Sequence, residues 1–125
     1  MNLNQITISS TDTRRSVRFY KKLGLNLIVD ALPRYARFEC PEGDTTFSLH
    51  QTEDLIINKG ITLYFEVENL SKTVSELKEK GITFNSEIAD QSWLWTDIHL
   101  NDPDGHEIII YHAGSNRKNP PWRIN

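Results

Sequence analysis

Hydrophobic and polar residues alternate along Gln5-Ile6-Thr7-Ile8-Ser9, the two-residue period of a half-buried strand. The period then changes. Asp12 stands as a helix N-cap, Val17, Phe19, Tyr20 and Leu23 form an apolar stripe, and Gly24 supplies a C-terminal stop. The same sentence is repeated further on at one constant offset: Gln5 corresponds to Thr62, Asp12 to Asn69, Val17 to Val74, Tyr20 to Leu77 and Gly24 to Gly81. Five anchors that agree in class and spacing point to a duplicated unit.

Each copy continues as strands. The first predicts strands over Leu25–Val29, Tyr35–Cys40 and Thr45–Gln51, with Pro41-Glu42-Gly43-Asp44 turning between the last two. The second predicts strands over Ile82–Asn85, Trp93–Leu100 and Glu107–His112, with Asp102-Pro103-Asp104-Gly105 as the hairpin. The fold class is therefore α+β, two tandem βαβββ modules. The first runs over about residues 1–51 and the second over about 60–113, joined by a linker at 52–59. A polar, proline-bearing arm at 114–125 is expected to be extended, with Trp122 docked on the body.

Composition narrows the classes. At 125 residues the length suits one domain. A net charge of −3 gives no attraction to nucleic acid or to anionic membranes. No run approaches the roughly 18 apolar residues of a membrane span. Cys40, the single cysteine, has no intrachain partner and reads as a packed residue. The first ten residues lack a basic and then apolar leader, so a cytoplasmic location is expected.

The ordered set of Asp12, Phe19-Tyr20, Leu23-Gly24 and Asp102-Pro103-Asp104-Gly105 within two βαβββ modules resembles the vicinal oxygen chelate superfamily. That group contains glyoxalase I, bleomycin-resistance proteins and extradiol dioxygenases. The resemblance covers about residues 3 to 112. It implies curled mixed sheets around an open cavity, helices packed outside, and a homodimer. It also implies up to four metal ligands, which fall here on Gln5, Ser48, Thr62 and Ile109. Ile109 offers no donor atom. Neutral amides and hydroxyls bind divalent ions weakly, so the aligned site is degenerate and no cofactor is expected.

Strand alternation gives the residues that share a face with those positions. Thr7 and Ser9 go with Gln5, His50 with Ser48, and Tyr64 and Glu66 with Thr62. Glu107 and Tyr111 go with Ile109, and Trp93, Trp95, Asp97 and His99 fall on the corresponding side of the seventh strand. The plainer role for His50 and His99 is a hydrogen-bonded place at a sheet rim. Trp93 and Trp95 suit either a planar or cationic ligand or an interface. His106 and His112, on the opposite parity, suit surface or packing roles.

Binding of a small aromatic or cationic compound without a metal follows as the leading expectation. One alternative is a glyoxalase-type lyase or isomerase, or a dioxygenase. It would use a divalent ion (Zn, Ni, Mn or Fe) on shifted ligands His50, His99 and Glu107 with Gln5. Another is a metal-free acid/base isomerase, with Glu107 as base beside His99 as the catalytic pair, or Glu66 in the same role.

Overall fold

The computed structural model describes residues 1–54 and 60–124. Its elements run β1 (Gln5–Ser10), α1 (Thr13–Leu23), β2 (Asn26–Ala31), β3 (Tyr35–Glu39), β4 (Thr46–Gln51), β5 (Thr62–Glu66), α2 (Leu70–Glu79), β6 (Ala89–Asp90), β7 (Thr96–Asn101) and β8 (Glu107–His112). They form two four-stranded mixed sheets, ordered β1-β4-β3-β2 and β5-β8-β7-β6. The chain divides into two units: Met1–Gly60 with Asp102–His106, and Ile61–Asn101 with Glu107–Asn125. Among the described residues no helix is long and apolar enough to cross a membrane.

In the first unit β1 lies parallel to β4, and β3 runs antiparallel to both β4 and β2. The Asp12 side chain accepts the Arg15 amide and so starts α1. Gly24 ends it at φ 115°, a left-handed conformation that glycine adopts without steric cost. The helix buries Thr13, Ser16, Val17 and Tyr20. The Tyr20 ring lies 4.6 Å from that of Phe47 and 6.0 Å from that of Phe38. Ile8, Ala36, Phe38 and Leu49 complete this core, each at most 1% exposed.

The turn Asp102–His106 supplies the polar anchor of the first unit. A buried tyrosine hydroxyl needs a partner, and Tyr20 Oη donates to Asp102 Oδ2 at 2.7 Å. Asp102 Oδ1 accepts the amides of Asp104 and His106, and the His106 ring nitrogen Nδ1 lies 2.9 Å from Oδ2. Asp104 Oδ1 accepts the Thr11 amide, the Thr11 hydroxyl and Arg15 Nη2, while its Oδ2 accepts the Ser16 hydroxyl. Both carboxylates are buried and saturated with donors.

The second unit repeats the plan, with β5 parallel to β8 and β7 antiparallel to β8 and β6. Asn69 caps α2 by accepting the Lys72 amide. Leu70, Val74 and Leu77 of that helix are buried, as are Leu63, Ile98, Leu100, Ile108 and Ile110 of the sheet.

Several details depart from the sequence pattern. The segment Ile82–Asn85 forms no strand; the second strand of this unit is the two-residue β6. Ile82 is drawn under the end of α2, its amide bonded to the Leu77 carbonyl. Asn85 makes one main-chain bond to His99, and the Ser86 hydroxyl then takes the His99 amide, which stops a ladder from forming. β7 starts at Thr96, so Trp93 lies in the preceding turn. The tail coils into a 3-10 turn at Gly114–Arg117, and Trp122 is 57% exposed rather than docked. Of the expected linker, residues 55–59 lie outside the described residues.

The Asp104 contacts generate the first prediction. Burial opposes its ionisation, but hydrogen bonds from Ser10, Thr11 and Ser16 outweigh that and hold the carboxyl below its ordinary value. Asp104→Asn should cost about 2–3 kcal/mol in urea unfolding, because Arg15 and Ser16 lose a charged acceptor. A depressed carboxyl stabilises the fold above its unfolded value of about 4 and loses that contribution as the pH falls. The gap between wild type and variant should therefore be constant at neutral pH and shrink below about pH 4. A gap that grows on acidification would contradict this assignment.

Candidate functional site

Each sheet presents one face to its helix and leaves the other to polar and aromatic side chains. In the second unit that other face is a grid set by the register. Asp97 pairs with Tyr111 and Tyr111 with Glu66; His99 pairs with Ile109 and Ile109 with Tyr64; Asn101 pairs with Glu107 and Glu107 with Thr62. Trp95, just before β7, stacks on Tyr111 with ring centres 4.3 Å apart and planes 12° from parallel. Tyr64 stands edge-on to both, at 6.1 Å from Trp95 and 6.0 Å from Tyr111. Ile109, Ala113 and Tyr111 itself are buried, with Trp95 packed against them, while Tyr64 remains 54% exposed.

Polar groups border the aromatic shelf. The Asp97 carboxylate is buried, accepts Gln91 Nε2 at 2.8 Å, and lies 3.7 Å from His99 Nε2. The opposite ring nitrogen of His99 lies 3.7 Å from Glu107 Oε1, and Glu107 Oε2 accepts the Thr62 hydroxyl. His99 thus sits between two carboxylates. Glu66 is otherwise engaged: one of its oxygens accepts the amides of Ala113 and Gly114 at 2.8 Å each, and the other lies 3.6 Å from Arg117 Nε. It holds the start of the C-terminal segment, with His112 bonded nearby to the Val67 carbonyl. Trp93 is exposed in the turn between β6 and β7, beside Leu94, whose φ of 67° is left-handed.

In the first unit the corresponding face carries Thr7, Ser48 and Arg37 in one row, and Ser9, His50 and Tyr35 in the next. Tyr35 Oη and Ser48 Oγ are 2.7 Å apart, and Arg37 Nε donates to Tyr35 Oη at 2.9 Å. Burial pushes the Tyr35 phenol up, but the bonds with Ser48 and Arg37 outweigh it and leave it below its ordinary value. Gln5 accepts from the Thr46 hydroxyl, and His50 is exposed.

Gln5 and Ser48 belong to the first unit, Thr62 and Ile109 to the second. Ser48 is committed to Tyr35, Thr62 to Glu107, and Ile109 has no donor atom. Of the shifted set, His99 and Glu107 lie in the second unit, where the two His99 nitrogens face different carboxylates. Among the described residues, Asp102, Asp104 and His106 do bring donor atoms within 4.8 Å of one another. Hydrogen bonds from Thr11, Arg15, Ser16, Tyr20 and main-chain amides already occupy their carboxylates.

Tyr35, Arg37 and Gln91 were not singled out from the sequence. The alternation Tyr35-Ala36-Arg37-Phe38 carries a signal for the first two, since Ala36 and Phe38 are the core residues. Nothing in the spacing points to Gln91.

The Glyoxalase/Bleomycin resistance protein/Dioxygenase superfamily model matches residues 2–110. The uncharacterized protein YraH of Bacillus subtilis (strain 168) is 32% identical, across 89% of this chain and 98% of its own. A glyoxalase/bleomycin resistance protein/dioxygenase from Nocardioides shares the fold with a TM-score of 0.76 at 20% identity, covering 100% of this chain and 90% of its own. A bleomycin-binding protein solved in complex with bleomycin gives a TM-score of 0.69 at 18% identity, covering 90% of this chain and 98% of its own.

The shelf makes Tyr111 a reporter. Burial first and then the Glu66 charge raise its phenol above the ordinary value, while Arg117 pulls the other way. Glu66→Gln should lower the Tyr111 titration and Arg117→Gln should raise it, read by NMR of ring-labelled tyrosine. Shifts of the opposite sign would show that Glu66 does not face this ring.

Proposed function

The chain belongs to the glyoxalase/bleomycin resistance protein/dioxygenase superfamily, and from that premise we propose that it binds a small planar aromatic compound, preferably cationic, without a metal. One observation carries this reading: the Trp95–Tyr111 stack with Tyr64 edge-on, bordered by the Asp97 and Glu107 carboxylates. An apolar shelf with a few oriented polar groups suits a small-molecule site. Aromatic faces and nearby carboxylates both favour a cation, the former by about 0.5–2 kcal/mol per contact. The bleomycin complex of a protein with the same fold supports a binding role. Neutral donors at Gln5, Ser48 and Thr62, and none at Ile109, argue against routing the function through an ion. Homodimerisation and a cytoplasmic location belong to the same proposal.

A second reading is favoured by His99 lying between Asp97 and Glu107. In it Glu107 removes a proton from a bound carbon acid and His99 returns it, with Asp97 fixing the ring. One experiment addresses both readings: titration of intrinsic tryptophan fluorescence with planar aromatic cations and their neutral isosteres. Binding predicts a saturable change, stronger for the cations, weakened about tenfold or more by Trp95→Ala. Under the second reading, Glu107→Gln keeps affinity and loses turnover. A panel in which no compound saturates would overturn the binding reading, and a Glu107→Gln variant that keeps turnover would overturn the second.

A further inference from the structure

The polar face of the first unit holds a cation for which the described residues provide no counter-ion. Arg37 is only partly exposed, and among the described residues it makes no ion pair. Its single hydrogen bond there runs from Nε to the Tyr35 hydroxyl. The guanidinium also lies 5.5 Å from the Tyr35 ring centre. Tyr35 is itself fixed by fully buried Ser48, at 2.7 Å. The guanidinium is therefore held in place through Nε, while its two terminal amino groups, with four N–H donors, remain available.

The surroundings favour an anion. Arg37 shares its row with Thr7, Ser48 and Val29, and the next row holds Ser9, His50, Tyr35 and Ala31. These rows carry hydroxyls and an imidazole but no carboxylate. Glu39, the next residue on the strand with the same parity, makes no ion pair with Arg37. A guanidinium that is partly desolvated and already oriented loses little further freedom on meeting a planar or tetrahedral oxyanion.

We propose that this corner is an oxyanion site, in which Arg37 grips the carboxylate or phosphoryl group of a small molecule through its two terminal amino groups. Tyr35 is its positioning residue, and His50 and Thr7 border the site. It uses none of the aromatic residues of the second unit and stands or falls independently of the aromatic ligand proposed above.

The test is NMR of the arginine Nε–H signals of the full chain at constant ionic strength. Inorganic phosphate, acetate and chloride are titrated separately. The proposal expects the Arg37 signal to move saturably with phosphate or acetate, and the stronger of the two identifies the group recognised. Chloride should give no saturable change. Arg37→Gln should abolish the response as read by the rise in Tm with the same anion, and Arg37→Lys should weaken it about tenfold, since an ammonium lacks the planar fork. Tyr35→Phe keeps the charge but releases the guanidinium, and should weaken binding less. Linear drift of equal size with all three anions would overturn the proposal, as would a thermal response that survives Arg37→Gln. If Arg37→Gln does not fold, the wild-type Arg37 signal and Tyr35→Phe decide the matter.

Discussion

A strand exposes its side chains to opposite sides with a period of two, and a single helix covers only one side of each sheet here. Everything functional about the molecule follows from that division. Ile98, Leu100, Ile108 and Ile110 bury on the side of α2, and the residues between them have no choice of face. His99, Glu107, Ile109 and Tyr111 therefore share a surface with Thr62, Tyr64 and Glu66 across the ladder. A slip of one residue would send all of these into the helix-packed core and the isoleucines out of it, which is why the register is so strongly specified.

Polar side chains that end up buried under this constraint must find partners, and they do so in different ways. The carboxylates of Asp102 and Asp104 are consumed by structure: Tyr20, Thr11, Arg15 and Ser16 bind them, so they fasten the turn to α1. Glu66 is likewise spent on the amides that begin the C-terminal segment. Asp97, buried and bonded to Gln91, and the more exposed Glu107 flank His99. The same distinction separates Arg15, paired with Asp104, from Arg37, whose side chain among the described residues bonds the Tyr35 hydroxyl and no carboxylate.

The duplicated plan, both helix caps and the hairpin at Asp102 could be read from the sequence because each has a local cause. Asp12 and Asn69 cap their helices by bonds to amides three residues on, and Gly24 takes a conformation that other residues avoid. The shared face of Tyr64, Asp97, His99, Glu107 and Tyr111 was legible for the same reason, since parity is a local property. What escaped was decided at long range. Glu66 looked available until the Ala113 and Gly114 amides claimed it, and Trp93 fell out of strand parity because the turn before β7 ends late. Ile82–Asn85 reads as a strand by composition, but Ile82 is held beneath α2 and a serine side chain takes the bond that a strand would have made.

The proposed ligand site uses aromatic and charged side chains and no metal ion. Elemental analysis tests it most directly, on untagged protein dialysed in turn against nickel, zinc, manganese and iron and then freed of loose ions. Less than about a tenth of an equivalent of each metal is expected, since mechanisms that polarise a substrate through an ion require it bound. A content near one equivalent, lost on replacing His99 or Glu107, would contradict this expectation and restore the metal-dependent chemistry of the family.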